Sequence, residues 1–141
     1  VRPWLRPRSD LSRYVFVGDG SFRKQAEKVG KVTGMVREPW KYLAGAEVVI
    51  ASSYLAILEA AAMGKPVIAV ANNPLKRDYL ESHPLKEYFK ICRNSKELAR
   101  EIIKSIEETP RLGGESPLRA RLWARRQTPV ELADVYEELW K

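Results

Sequence analysis

The sequence predicts an α/β fold: a doubly wound, Rossmann-like parallel sheet of about five strands with helices on both faces, plus a C-terminal helix. Three observations carry this. Short, wholly apolar runs at residues 48–51 and 67–70 have the texture of strands covered on both faces, as in parallel sheets. Each run ends in a turn cluster and is followed by a helical pattern, so strand and helix alternate about five times. The 141 residues, 45% apolar, suffice for a core without disulfides or structural metals.

The elements follow in order. Residues 14–17, Tyr-Val-Phe-Val, read as a buried strand stopped by Gly18, Asp19 and Gly20. Ser21 caps a helix over 22–28, and a second extended stretch covers 31–36 after Gly30. Pro39 suits the first turn of a helix through Trp40, Leu43 and Ala44. After strand 48–51, Ser52 and Ser53 open a helix over 54–63 that ends at Gly64, where a helix C-terminus belongs. Pro66 starts strand 67–70, and Asn72, Asn73 and Pro74 turn the chain into a charged helix over 75–81. A short strand over 87–92 leads to Asn94, which with Glu97 forms a capping-box variant. That box opens a helix to about 107, with Leu98, Ile102 and Ile106 as its buried stripe.

After Pro110 the texture changes. Gly113 and Gly114 make a flexible link, Arg119, Arg121, Arg125 and Arg126 a basic cluster, and Pro129 opens a closing helix through Trp140. The chain accordingly divides into a basic N-terminal segment (1–13), a Rossmann-like domain (14–110), and a basic linker with a C-terminal helical element packing on the same domain (111–141).

Composition removes several chemistries. One cysteine, Cys92, and one histidine, His83, cannot build a four-ligand zinc site or an intrachain disulfide, and no Asp-x-Asp motif is present, so no metal is expected. The longest charge-free stretch, between Glu47 and Glu59, is 11 residues, against the ~20 of a membrane span. The first residues show no secretory pattern, and a cytoplasmic location, extending to the inner membrane surface, is expected. A net charge of +7 attracts polyanions, acidic head groups or phosphorylated ligands. Only five residues are Asn or Gln while 30% are charged, a balance common in heat-adapted proteins. The basic cluster lacks the aromatic stacking platforms of a nucleic-acid surface, so no nucleic-acid partner is expected. Trp123 and Trp140 either pack onto the sheet or make peripheral contact with an acidic membrane surface.

In open parallel sheets, ligands gather at the carboxyl ends of strands, beside helix N-termini that favour anions. Two loops qualify: Gly18-Asp19-Gly20-Ser21 and Ser52-Ser53-Tyr54. Arg23 stands where a dinucleotide fingerprint needs its third glycine, and no phosphate P-loop occurs. The most informative carboxylate is Glu59, set among Leu55, Ile57, Leu58, Ala60, Ala61 and Ala62, where an ionised group is costly unless partnered. A vicinal diol such as a ribose suits it, two donors meeting two acceptors; a backbone N–H or an Arg would serve as well.

Gly18-Asp19-Gly20, Gly34, and above all the string from Glu59 through Ala60-Ala61-Ala62-Met63-Gly64-Lys65-Pro66-Val67-Ile68 to Ala69 resemble the carboxy-terminal, donor-binding domain of GT-B-fold glycosyltransferases. The resemblance covers roughly 14–106, and the final helix with Tyr136 resembles the family's closing helix. It implies a site for a nucleotide-diphosphate sugar, UDP- or GDP-linked, as substrate, with no cofactor. Glu59 would hold the ribose, Ser52, Ser53 and Tyr54 would lie beside the diphosphate, and Gly34, Met35, Val36 and Arg37 would form the base-contacting loop. Asn72, Asn73, Lys76 and Arg77 would reach the sugar or a phosphate, although Lys76 and Arg77 also suit a solvated face.

The chain departs from the family in two places. Ala51 stands where many retaining members carry a second Glu, and the short intervening loop is closer to inverting, lipid-linked-acceptor members. Residues 1–13 offer Arg2, Arg6, Arg8 and Arg13 but no strand pattern. The resemblance implies a hexosyl or N-acetylhexosaminyl transferase acting on a lipid-linked or saccharide acceptor. Acceptor and catalytic base would be supplied by a separate N-terminal domain or partner subunit, so no catalytic residue is assigned. The alternative is a non-catalytic nucleotide-sugar-binding module or partner subunit. His83, before Pro84, reads as a surface or turn histidine.

Overall fold

The computed structural model describes residues 14–108 and 115–141, with residues 115–117 described by backbone alone. The expected basic segment 1–13 and the Gly113-Gly114 link lie outside the described residues. The chain divides into two compact units between Tyr42 and Leu43.

In the first unit, β1 (Val15–Phe16) pairs in parallel with β2 (Lys31–Val32), and α1 (Arg23–Glu27) connects them. The unit closes with an antiparallel bridge between Gly18 and Gly34, whose φ angles of 131° and 72° are open to glycine and strained for other residues. The expected buried strand is instead exposed: Tyr14, Val15, Phe16 and Val17 each keep 40–45% of their surface. The five-residue α1 buries none of its own side chains, so it lays no apolar layer over the pair. The second strand stops at Val32 because Gly34 takes the backbone out of extended geometry. Ser21 does not cap α1; Phe22 stands at the N-cap without a side-chain bond.

Gly30 passes so close to the first strand that an added Cβ would lie 2.2 Å from the Tyr14 carbonyl oxygen and 2.7 Å from Tyr14 Cβ. That carbonyl accepts from Lys31 N–H at 2.8 Å, so it cannot move without breaking the pairing. Gly30→Ala is expected to destabilise this unit by about 1–3 kcal/mol, the usual cost of overpacking. Loss of amide-exchange protection at Lys31 and Thr33, with residues after 43 unaffected, checks it; unchanged protection refutes it.

In the second unit, β3 (Val49–Ile50), β4 (Val67–Val70) and β5 (Lys90–Cys92) form a parallel sheet in chain order. All five expected strands exist and are parallel to their ladder partners, but they make sheets of two and three rather than one of five. Within the second unit β3 is tied to β4 by the Val49 and Ala51 N–H groups, which donate to the Pro66 and Ile68 carbonyls.

Helix α2 (Trp40–Ala44) spans the division, and Leu43 and Ala46 after it pack on the second unit's core. Helix α3 (Tyr54–Ala62) joins β3 to β4, α4 (Pro74–Glu81) joins β4 to β5, and α5 (Ser95–Glu108) packs along β4 and β5. The core gathers Ile57, Ala60 and Ala61 from α3, Val67 and Ala69 from β4, Leu80 from α4, and Leu85 and Phe89 from the loop after it. Asn94 Oδ1 accepts from Glu97 N at 3.0 Å, while the Glu97 carboxylate reaches back to Arg93 N at 2.8 Å, one residue beyond the usual box. Leu98, Ile102 and Ile106 are half-buried rather than fully covered.

The basic cluster, expected in a linker, lies on a further helix, α6 (Glu115–Arg126). Ala120 and Ala124, one turn apart and both buried, let it approach the alanine-rich side of α3 closely. Arg125 Nε donates to the Ala62 carbonyl at 3.1 Å, closing the C-terminus of α3. Helix α7 (Pro129–Leu139), capped by Thr128, buries none of its residues. Trp123 packs against the core whereas Trp140 is 87% exposed. Among the described residues no helix is long and apolar enough to cross a membrane.

Candidate active site

At the carboxyl ends of the neighbouring strands β3 and β4, a side chain continues the pairing beyond the last ladder residues. Ser52 Oγ accepts from Val70 N at 2.9 Å, standing in for the carbonyl that the ladder would otherwise supply. Its hydroxyl proton is left to donate. Ser53 is the extended N-cap of α3 (φ −115°, ψ 151°), and its hydroxyl makes no capping bond. Helix α3 thus begins at the end of the strand, with first-turn amides that lack intrahelical acceptors.

Tyr54, the first residue of α3, is held from α4. Its N–H donates to the Tyr79 hydroxyl at 2.8 Å, and its ring packs on the His83 ring at a centroid distance of 4.5 Å. His83 is only 3% exposed, contrary to the expected surface position, although the chain does turn there. Its other side meets Phe89 edge-on at 5.4 Å. Leu85 N–H can only donate, so His83 Nδ1, 3.0 Å away, accepts; the proton sits on Nε2, which donates to the Tyr54 carbonyl at 3.4 Å. The imidazole is therefore neutral, and burial pushes its pKa below the usual 6.5, opposed by the bond to Tyr54.

The unfolded chain takes up a proton near 6.5 while the native state resists until lower pH. This contribution to stability is whole above 6.5 and is lost as pH falls from there toward the native value. The melting temperature is expected to drop between pH 7.5 and 5 more in the wild type than in His83→Gln. Parallel pH profiles would remove His83 as the cause.

Asn73 caps α4, its Oδ1 accepting from Lys76 N at 2.8 Å, and its Nδ2 donates to Asn72 Oδ1 at 3.1 Å. Both side chains are exposed just beyond β4. Lys76 Nζ lies 4.7 Å over the Tyr79 ring, and Arg77 pairs with Glu81 at 2.8 Å on the solvated side of α4.

Glu59 corrects one expectation. It is exposed rather than set among apolar neighbours, so it carries no burial cost. At 100° per residue, Ile57, Ala60 and Ala61 turn to the core while Glu59 shares the outer face with Leu55, one turn earlier. Among the described residues no group bonds its carboxylate.

The remaining expected residues belong to the first unit. Asp19 accepts from Gly20 N at 2.8 Å and pairs with Arg23 at 2.7 Å, contacts that hold its carboxyl below the usual range. Gly34 is buried in the bridge to Gly18, Val36 is half-buried, and Met35 and Arg37 are exposed. The second unit thus brings together Ser52, Ser53, Tyr54, Asn72 and Asn73 after adjoining strand ends, with Glu59 farther along α3. Sequence reasoning passes over Tyr79 and places His83 at the surface or in a turn; their spacing of four, one helical turn, is the available signal that they act together.

The family model for glycosyl transferases group 1 matches residues 1–108. The chain belongs to that family. No curated protein and no solved structure matches it. A GT-B glycosyltransferase domain is Rossmann-like, and the parallel strands with intervening helices accord with that membership. The family assigns glycosyl transfer as the reaction class and leaves donor, acceptor and partner to chemical argument.

Proposed function

We propose that this glycosyltransferase domain binds a nucleotide-diphosphate sugar along α3 and, with an acceptor domain or partner subunit, transfers its glycosyl group. The observation that carries the reading is Glu59: an exposed carboxylate, unengaged by the described residues, within the Glu-Ala-Ala-Ala-Met-Gly-Lys-Pro-Val-Ile string of a group 1 family member. Two carboxylate oxygens match the paired hydroxyls of a ribose. Glu59 stands five positions after Tyr54, roughly 7.5 Å along the helix axis, a span that a ribose with its attached phosphates bridges. The diphosphate then meets the positive end of α3, with the Ser52 and Ser53 hydroxyls beside it.

During transfer, negative charge grows on the departing diphosphate. Fixed dipoles at the start of α3 stabilise it without reorganising, which lowers the barrier rather than merely tightening substrate binding. The base that activates the acceptor comes from outside this chain; His83 is buried with both nitrogens engaged and does not serve. Calorimetric titration of the protein with UDP and GDP tests the reading. Saturable binding of at least one is expected, and no heat from either at millimolar concentration overturns it.

A further inference from the structure

The first residue of α3 is gripped at three points by residues 79–83. Tyr79 Oη accepts from Tyr54 N–H, His83 Nε2–H donates to the Tyr54 carbonyl, and the His83 and Tyr54 rings pack face to tilted face. The two gripping residues are one helical turn apart, at the end of α4 and in the bend beyond it. His83 is locked in turn by Leu85 N–H and Phe89. An ordinary helix needs no such arrangement at its start, because water satisfies first-turn amides there. Burying a histidine to hold one backbone carbonyl costs desolvation, and that cost is repaid if the helix start must keep one position.

We propose that Tyr79 and His83 are positioning residues for glycosyl transfer, holding the N-terminus of α3 where the diphosphate of the donor is received. The inference rests on the donor-site reading above. Neither residue touches the donor; they act through Tyr54. Tyr79 is the better handle, being 43% exposed, so that Tyr79→Phe removes one hydroxyl while keeping the ring under Lys76. Without its acceptor the Tyr54 amide turns to water and the first turn of α3 loses one of its three restraints, so it holds its position less firmly, while Glu59, more than a turn farther on, stays in place.

The test compares nucleoside with nucleoside diphosphate. NMR titrations of the full chain with uridine, guanosine, UDP and GDP are run on the wild type, Tyr79→Phe and His83→Gln, with amide exchange at Tyr54 as the structural readout. Tyr79→Phe is expected to weaken the diphosphates about five- to twentyfold, the worth of one well-placed hydrogen bond, and the nucleosides less than about twofold. Faster exchange at Tyr54 accompanies the loss. His83→Gln shifts the same split in the same direction. Diphosphate affinity equal to wild type, or nucleoside and diphosphate falling together with the melting temperature, overturns the positioning role while leaving the donor site standing. A wild type that binds neither diphosphate removes both.

Discussion

Glu59→Ala is expected to cost at least about a hundredfold in affinity for the nucleoside half of the donor, with no loss of fold. Two hydrogen bonds to a charged acceptor are each worth about 1.5–3 kcal/mol, and alanine makes neither. The position is exposed and its neighbours toward the core are Ile57, Ala60 and Ala61, so nothing packed is disturbed. Alanine is also the better helix former, and the melting temperature should hold or rise slightly. Glu59→Gln keeps the shape and one acceptor oxygen and is expected to lose about tenfold. Titration of both variants with UDP, GDP and their nucleosides separates the cases. Wild-type affinity in Glu59→Ala would take the ribose away from this carboxylate and leave the family membership untouched.

The largest effect on stability is expected at Ile68. Fully buried in the middle of β4, it pairs with Ile50 on one side and Lys90 on the other. Ile68→Ala deletes buried methyl groups where strands on both sides restrain collapse, at a cost of about 2–5 kcal/mol. Against the 5–15 kcal/mol typical of a domain, that is a large share. Ile68→Val leaves most of the volume and should cost about 0.5–1.5 kcal/mol. Urea unfolding monitored by far-ultraviolet circular dichroism, with the fluorescence of the half-buried Trp123 as a second signal, ranks the three proteins. A cost below about 1 kcal/mol for the alanine variant would mean that β4 is not the central strand of a packed core.

The two positions differ in how well they could be read beforehand. The strand at 67–70 appears with the bounds read for it, because a short apolar run that follows Pro66 and stops before the Asn72-Asn73-Pro74 turn suits a strand covered on both faces. The alternation of such runs with helical segments was equally legible, and so was the stop at Gly64, whose φ is 69°; Asn73 read as a turn residue, and the structure makes it the cap of α4. The run at 14–17 has the same texture, yet those side chains remain two-fifths exposed. What covers a strand is decided by other elements, and α1 is too short to supply a layer.

Glu59 was singled out for a reason that the structure reverses. Apolar neighbours along the chain suggested burial, but at 100° per residue the neighbours in sequence point elsewhere, and the carboxylate faces outward. It remains a candidate through its place in the family's string and through its lack of any partner among the described residues.

From the chain's own pattern of apolar runs and turn residues came the α/β class with its alternating strands and helices, since these depend on residues a few positions apart, and from the string at Glu59 to Ala69 came the family. Only the tertiary structure decided that five strands make two sheets, that the Arg-bearing segment is a helix laid on α3, and that Tyr79 and His83 grip Tyr54. The last two depend on which faces of α3 are small enough to admit a neighbour and on which side chains of α4 and the bend after it reach its first residue. They join residues about 20 to 65 positions apart, a distance over which local pattern carries no information.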